Sequence, residues 1–93
     1  MPQFMSTHRA PSLDASVLQQ GAAAAYNAKL ARFLQIYVNL GDGFMTSIYE
    51  AESAEVLQEQ FEILGFPFEE MHEIQFAQSR GELEQMLGQA SKN

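Results

Sequence analysis

The stretch "FLQIYVNLGDGFMTSIYE", residues 33–50, has the pattern of a β-hairpin. β-Branched and aromatic residues flank "LGDGF", whose Asp42-Gly43 pair is a strong short-range turn signal. Strands are therefore expected over Phe33 to Asn39 and Phe44 to Glu50. With Asn39 opposite Phe44, one face carries Leu34, Ile36, Val38, Met45 and Tyr49, and the other Phe33, Gln35, Tyr37, Thr46, Ile48 and Glu50. The first is the better core face. The second is too apolar for open water and too polar for a dry core, as expected of a sheet that faces a partner subunit or a ligand cleft.

Upstream of the hairpin, "QFMSTH" (Gln3 to His8) reads as a strand closed by the turn at Pro11. Asp14, or Ser12 just before it, is placed to cap a helix through about Ala31, in which Leu18, Ala22, Ala25, Tyr26, Leu30 and Phe33 recur near helical spacing. Gly21 costs that helix roughly 1 kcal/mol against alanine, which leaves two readings open: a close backbone approach or loosely held first turns. Downstream, Ser53 caps a second helix to Leu64, with Leu57, Phe61 and Leu64 as its stripe, Gly65 as its stop and Pro67 beyond. "MHEIQF" supplies a fourth strand, and Ser79-x-x-Glu82 opens a tail helix with a capping box. The order is β-α-β-β-α-β plus a helix, which is the ferredoxin-like split arrangement, α+β, with an antiparallel sheet ordered 4-1-3-2 and two helices on one face.

One domain over residues 1–93 follows from the length, and 46% hydrophobic residues with seven Phe and five Met place the chain in the globular class. The formal charge of −7 repels phosphate backbones and anionic lipid, so neither nucleic acid nor a membrane surface is an expected partner. No apolar run approaches the ~18 residues of a membrane span, and "MPQFMSTHRAPS" lacks the order of a signal peptide, so a cytoplasmic location is expected. With no cysteine, any metal must sit on histidine, carboxylate or backbone oxygen.

The chain has two histidines. In the 4-1-3-2 order strand four runs antiparallel beside strand one, which brings His8 near His72. With Ser6 opposite Ile74 the two imidazoles share a face, whereas a one-residue slip separates them. Strand three, taken as parallel to strand one, would end at the same edge and add Glu50. The expected ligand set is thus His8, His72 and Glu50, with Glu52 and Glu70 as outlying carboxylates, a nitrogen-and-oxygen set that suits nickel or zinc. The bland alternatives are specific too. Alternation with Ile74 and Phe76 favours a tucked-in, neutral His72, and His8 before an Arg-Ala-Pro loop is equally well read as solvated.

"MPQFMSTH", "SIYEAES" and "FPFEEMHEI" resemble a family of small bacterial domains of unknown function with a ferredoxin-like fold, at least one member of which is described as a nickel-binding protein. The resemblance spans about residues 2 to 76. It implies a histidine at the end of the first strand, matched by His8, and a glutamate before an alanine after the third, matched by Glu50-Ala51. The chain departs from that pattern at Ser6, where members often have an acidic residue, at Leu64, where they have a histidine, and at His72, where they tend to be aliphatic.

Two functions of different class are compatible with these residues. One is a dimeric, non-enzymatic protein that holds a divalent ion such as nickel or zinc. The other is a dimeric enzyme resembling cofactor-free monooxygenases or isomerases, with His8 or His72 as the general base, or a small-molecule-binding domain, with a pocket lined by Phe4, Tyr37, Ile48 and Tyr49. No serine sits in a nucleophile elbow, and the two histidines have no serine or cysteine partner at the level of a motif.

Overall fold

The structure, a computed structural model, describes residues 1–10 and 14–91, the side chains of 89–91 excepted. Its elements are β1 (Gln3–Arg9), α1 (Ala15–Asn27), β2 (Arg32–Asn39), β3 (Phe44–Glu50), α2 (Ala54–Leu64), β4 (Glu70–Glu73) and α3 (Arg80–Ser91). The four strands form one antiparallel sheet ordered β2-β3-β1-β4, the expected 4-1-3-2 order read from the opposite edge.

Local chemistry starts and stops the helices where the sequence marks them. The Asp14 carboxylate accepts from Val17 N–H at 2.9 Å to open α1; Ser12, the alternative cap, lies outside the described residues. Ser53 Oγ accepts from Val56 N–H to open α2, and Gly65 closes it in the left-handed conformation at φ 73°. Ser79 and Glu82 form a reciprocal capping box at α3. α1 ends earlier than its apolar spacing suggests: Ala28 is extended, and Ala31 is buried in the run into β2. There Ala31 N–H donates to the buried Gln60 carbonyl at 2.7 Å, so α2 anchors the α1–β2 connection.

Asn39 faces Phe44 across the hairpin, as expected. The four-residue loop is held by the Asn39 side chain, which accepts from Gly41 N–H at 2.8 Å and Asp42 N–H at 3.3 Å, while Gly43 takes φ 76°. Further along, Leu34 is the extra residue of a β-bulge between Phe33 and Gln35. The bulge inverts the phase of the strand, so Phe33 joins Ile36, Val38, Met45 and Tyr49 on the helix side and leaves the open face to which strict alternation assigned it. Its ring meets Tyr49 edge-on at 5.6 Å.

The core is Phe4, Ala25, Ala31, Tyr49, Ala51, Leu57 and Phe61, with Phe33, Phe66, Phe68 and Met71 packed against it. Leu57 and Phe61 lie one helical turn apart on α2 and press onto Phe4 and Tyr49 of the central strands. Each such side chain contributes about 1.5–3 kcal/mol on burial. α1 enters the core through Ala25 alone, since its other inward positions are Leu18, Gly21 and Ala22 and remain half-buried, whereas Tyr26 points out at 75% exposure. Small residues on α1 thus leave space between that helix and the sheet.

Candidate functional site

Alternation along β1 puts Phe4, Ser6 and His8 on the helix side, and the same alternation along β3 puts Met45, Ser47 and Tyr49 there. The register places Ser6 opposite Ser47 and His8 opposite Met45, so the imidazole lies diagonal to Ser47. Two small side chains at the centre of the sheet make room for the ring, which is 7% exposed and stands edge-on to Phe61 at 5.2 Å. His8 Nδ1 lies 2.9 Å from the carbonyl oxygen of Pro67. A carbonyl only accepts, so Nδ1 carries a hydrogen. Burial pushes the His8 pKa below its ordinary value of 6.5, outweighing the opposing effect of the Pro67 hydrogen bond, and the neutral ring then has a bare Nε2. That nitrogen lies 2.9 Å from Ser47 Oγ and 3.0 Å from Ser6 Oγ, and the two hydroxyl oxygens are 2.6 Å apart.

His8 and Ser47 form the polar end of a cavity of about 230 Å³ between α1 and the sheet. Val17, Leu18, Gly21, Ala22 and Ala25 line it from α1, Phe33, Ile36, Met45 and Tyr49 from the sheet, and Phe66 from the α2–β4 connection. Burial raises the Tyr49 pKa to about 12, so its phenol stays protonated. Arg9, Ala10 and Pro67 complete the lining, and with the Arg9 guanidinium turned to the Phe44 ring at 5.5 Å the walls are otherwise apolar. This arrangement can enclose a small hydrophobic body and offer it hydrogen bonds at one end.

The expected His8, His72 and Glu50 site does not assemble within the chain. β1 and β4 pair with Ser6 opposite Met71, not Ile74, so His72 falls opposite Met5 on the open face while His8 lies on the helix face. The cause is the early entry of β4: Glu69 N–H already donates to Thr7 O at 2.7 Å, and the strand ends at Glu73 instead of running to Phe76. His72 is neither tucked in nor packed with Ile74 and Phe76. Its side chain is 63% exposed and bonds Glu70 at 3.0 Å. Glu50 lies at the other end of the sheet because β3 runs antiparallel, not parallel, to β1. The crossover through α1 returns β2 parallel to β1, and the hairpin then reverses β3. Glu50 therefore faces Gln3, five residues or roughly 17 Å along β1 from His8, and pairs with Arg32 at 3.2 Å. Among the described residues no group of three or more histidines and carboxylates is close enough to hold an ion.

Of the four expected pocket residues, Tyr49 lines the cavity and Phe4 is sealed in the core behind it. Tyr37 and Ile48 belong to the open face, since they flank the core positions of their strands. Ser6 and Ser47, which complete the polar end, carry no local motif. The available signal was their two-residue spacing from His8 and Tyr49 in strands that alternate.

No family model and no curated protein matches this chain. A crystal structure of SCO4226 from Streptomyces coelicolor A3(2) is similar to it, with a TM-score of 0.74 and 25% sequence identity over 82% of this chain and 99% of that one. The likeness supports the α+β fold described above.

Proposed function

We propose that the chain is a small-molecule-binding domain whose site is the cavity between α1 and the sheet. The observation that carries this reading is the conjunction of an apolar enclosure of about 230 Å³ with one buried polar end, His8 and Ser47. An apolar cavity of about 150 Å³ is enough to take a benzene ring, so the ligand is a compact body of one or two rings or an equivalent aliphatic group. Helix α1 forms one wall through small residues, and filling that wall should abolish binding without dismantling the core. A metal-holding function would have to use His8 without His72 or Glu50, which the sheet sets apart. Catalysis with His8 as base would use this same cavity.

The test is titration of the isotope-labelled protein with toluene, followed by backbone amide shifts. Saturable shifts at Ala22, Met45 and Ser47 are expected, and they should disappear in Ala22→Phe, which occupies the cavity from α1. Absence of saturable shifts in the wild type at millimolar toluene would remove the proposal.

A further inference from the structure

The hydrogens of the polar end can be counted. Ser6 Oγ and Ser47 Oγ are 2.6 Å apart, a separation that requires a hydrogen between them, because two facing lone pairs at that distance repel. One hydroxyl hydrogen is thereby used. The His8 Nδ1 hydrogen is used on the Pro67 carbonyl. The bare Nε2 needs the remaining hydroxyl hydrogen, and both serines lie within reach of it, at 2.9 and 3.0 Å. Turning the Ser47 hydroxyl toward the cavity would leave Nε2 buried without a donor, at a cost of about 1–3 kcal/mol. All three hydrogens are thus spent inside the cluster. What remains over is lone-pair capacity on Ser47, the serine that lines the cavity; Ser6, as deeply buried, does not line it.

We infer that this end of the cavity is an acceptor that selects compact apolar ligands carrying an O–H or N–H donor, such as phenols, alcohols or N–H heterocycles, over ligands whose only polar group is a carbonyl. The inference rests on the binding reading of the same cavity and adds the ligand's polar chemistry to it. Tyr49 supplies a further hydroxyl to the lining, and it makes no hydrogen bond to another described residue, so its effect must be separated from that of Ser47. Arg9 is engaged elsewhere, with its guanidinium 3.6 Å from Glu69 and stacked at 5.5 Å over Phe44.

Phenol and benzaldehyde make a matched pair, since they share a ring and differ in offering a donor or only an acceptor. Their dissociation constants, with toluene as the apolar reference, are measured by amide-shift titration at pH 7.5 on the wild type, Ser47→Ala and Tyr49→Phe. Phenol should bind about fivefold to tenfold tighter than benzaldehyde to the wild type, the ratio that one net hydrogen bond supplies. That ratio should fall to near one in Ser47→Ala and persist in Tyr49→Phe. Equal binding of the two probes, or tighter binding of benzaldehyde, overturns the inference while toluene binding keeps the pocket. A phenol preference that survives Ser47→Ala, or that is lost in Tyr49→Phe, also overturns it by placing the selection elsewhere. Failure of all three probes removes the pocket itself.

Discussion

The His8 ring touches the Phe61 edge, the Pro67 carbonyl and two serine hydroxyls, and none of these balances the full charge of an imidazolium. Burial therefore lowers its pKa in the folded chain, whereas the unfolded chain titrates near 6.5. Between those two values the unfolded state binds more protons, so the contribution of the neutral ring is complete above about pH 6.5 and is lost as pH falls through the folded value. Urea unfolding from pH 7.5 to pH 5 should show a steady loss of stability that is weaker in His8→Gln; an equally steep profile in both would mean that His8 is not its source. Gln60 is the second polar residue of consequence. Its carbonyl serves the Ala31 N–H, while its Nε2 has no partner among the described residues. Replacing it by leucine orphans a buried backbone donor, at a cost of about 1–3 kcal/mol that removal of the unmet amide only partly offsets, so a smaller net loss is expected in denaturant unfolding. Neither histidine's setting follows from its neighbours in the chain: His72 alternates with apolar residues yet is exposed, and His8 precedes a loop yet is buried.

Among the elements, α1 is the one whose sequence posed a question that its packing answers. A Cβ on Gly21 would meet Phe66 at 3.6 Å, an ordinary contact, so no close backbone approach demands glycine there. Gly21→Ala should raise stability by up to about 1 kcal/mol, read as a higher thermal midpoint, while narrowing the cavity. Gly65→Ala should do the opposite, costing about 1–2 kcal/mol, because only glycine adopts φ 73° without strain. At β4, register governs the chemistry. With the two histidines on opposite faces, calorimetric titration with nickel at moderate salt should give the same weak isotherm for wild type, His8→Ala and His72→Ala; selective loss in one variant would reveal a site the chain does not assemble alone. Caps and turns were legible because they are local contacts within four residues. The Leu34 bulge and the β4 offset were not, since each depends on how a distant strand fits against β1 or β3.

For the whole molecule, the open face of the sheet carries Met5, Thr46, Ile48 and Tyr37, the last at 61% exposure. Such a face is expected to close against a second copy, so light scattering after size exclusion should give twice the 10.4 kDa chain mass at tens of micromolar, and Tyr37→Glu should give the monomer. A monomeric wild type would leave that face to solvent. On α3 the described side chains, Leu83, Met86 and Leu87 among them, are also exposed. Element order, helix caps and the Asn39–Phe44 pairing could be read from the chain because propensity, capping and short turns act over a few residues, and few topologies accommodate a β-α-β-β-α-β order. Strand register, and with it the partners of His8, emerged only when β1 was clamped between β3 and β4. A slip of one residue there costs nothing locally but moves every side chain to the other face. The Ser6, Ser47 and His8 cluster exists because three separate segments, including the Pro67 carbonyl after α2, converge on one imidazole, and no spacing along the chain encodes that convergence.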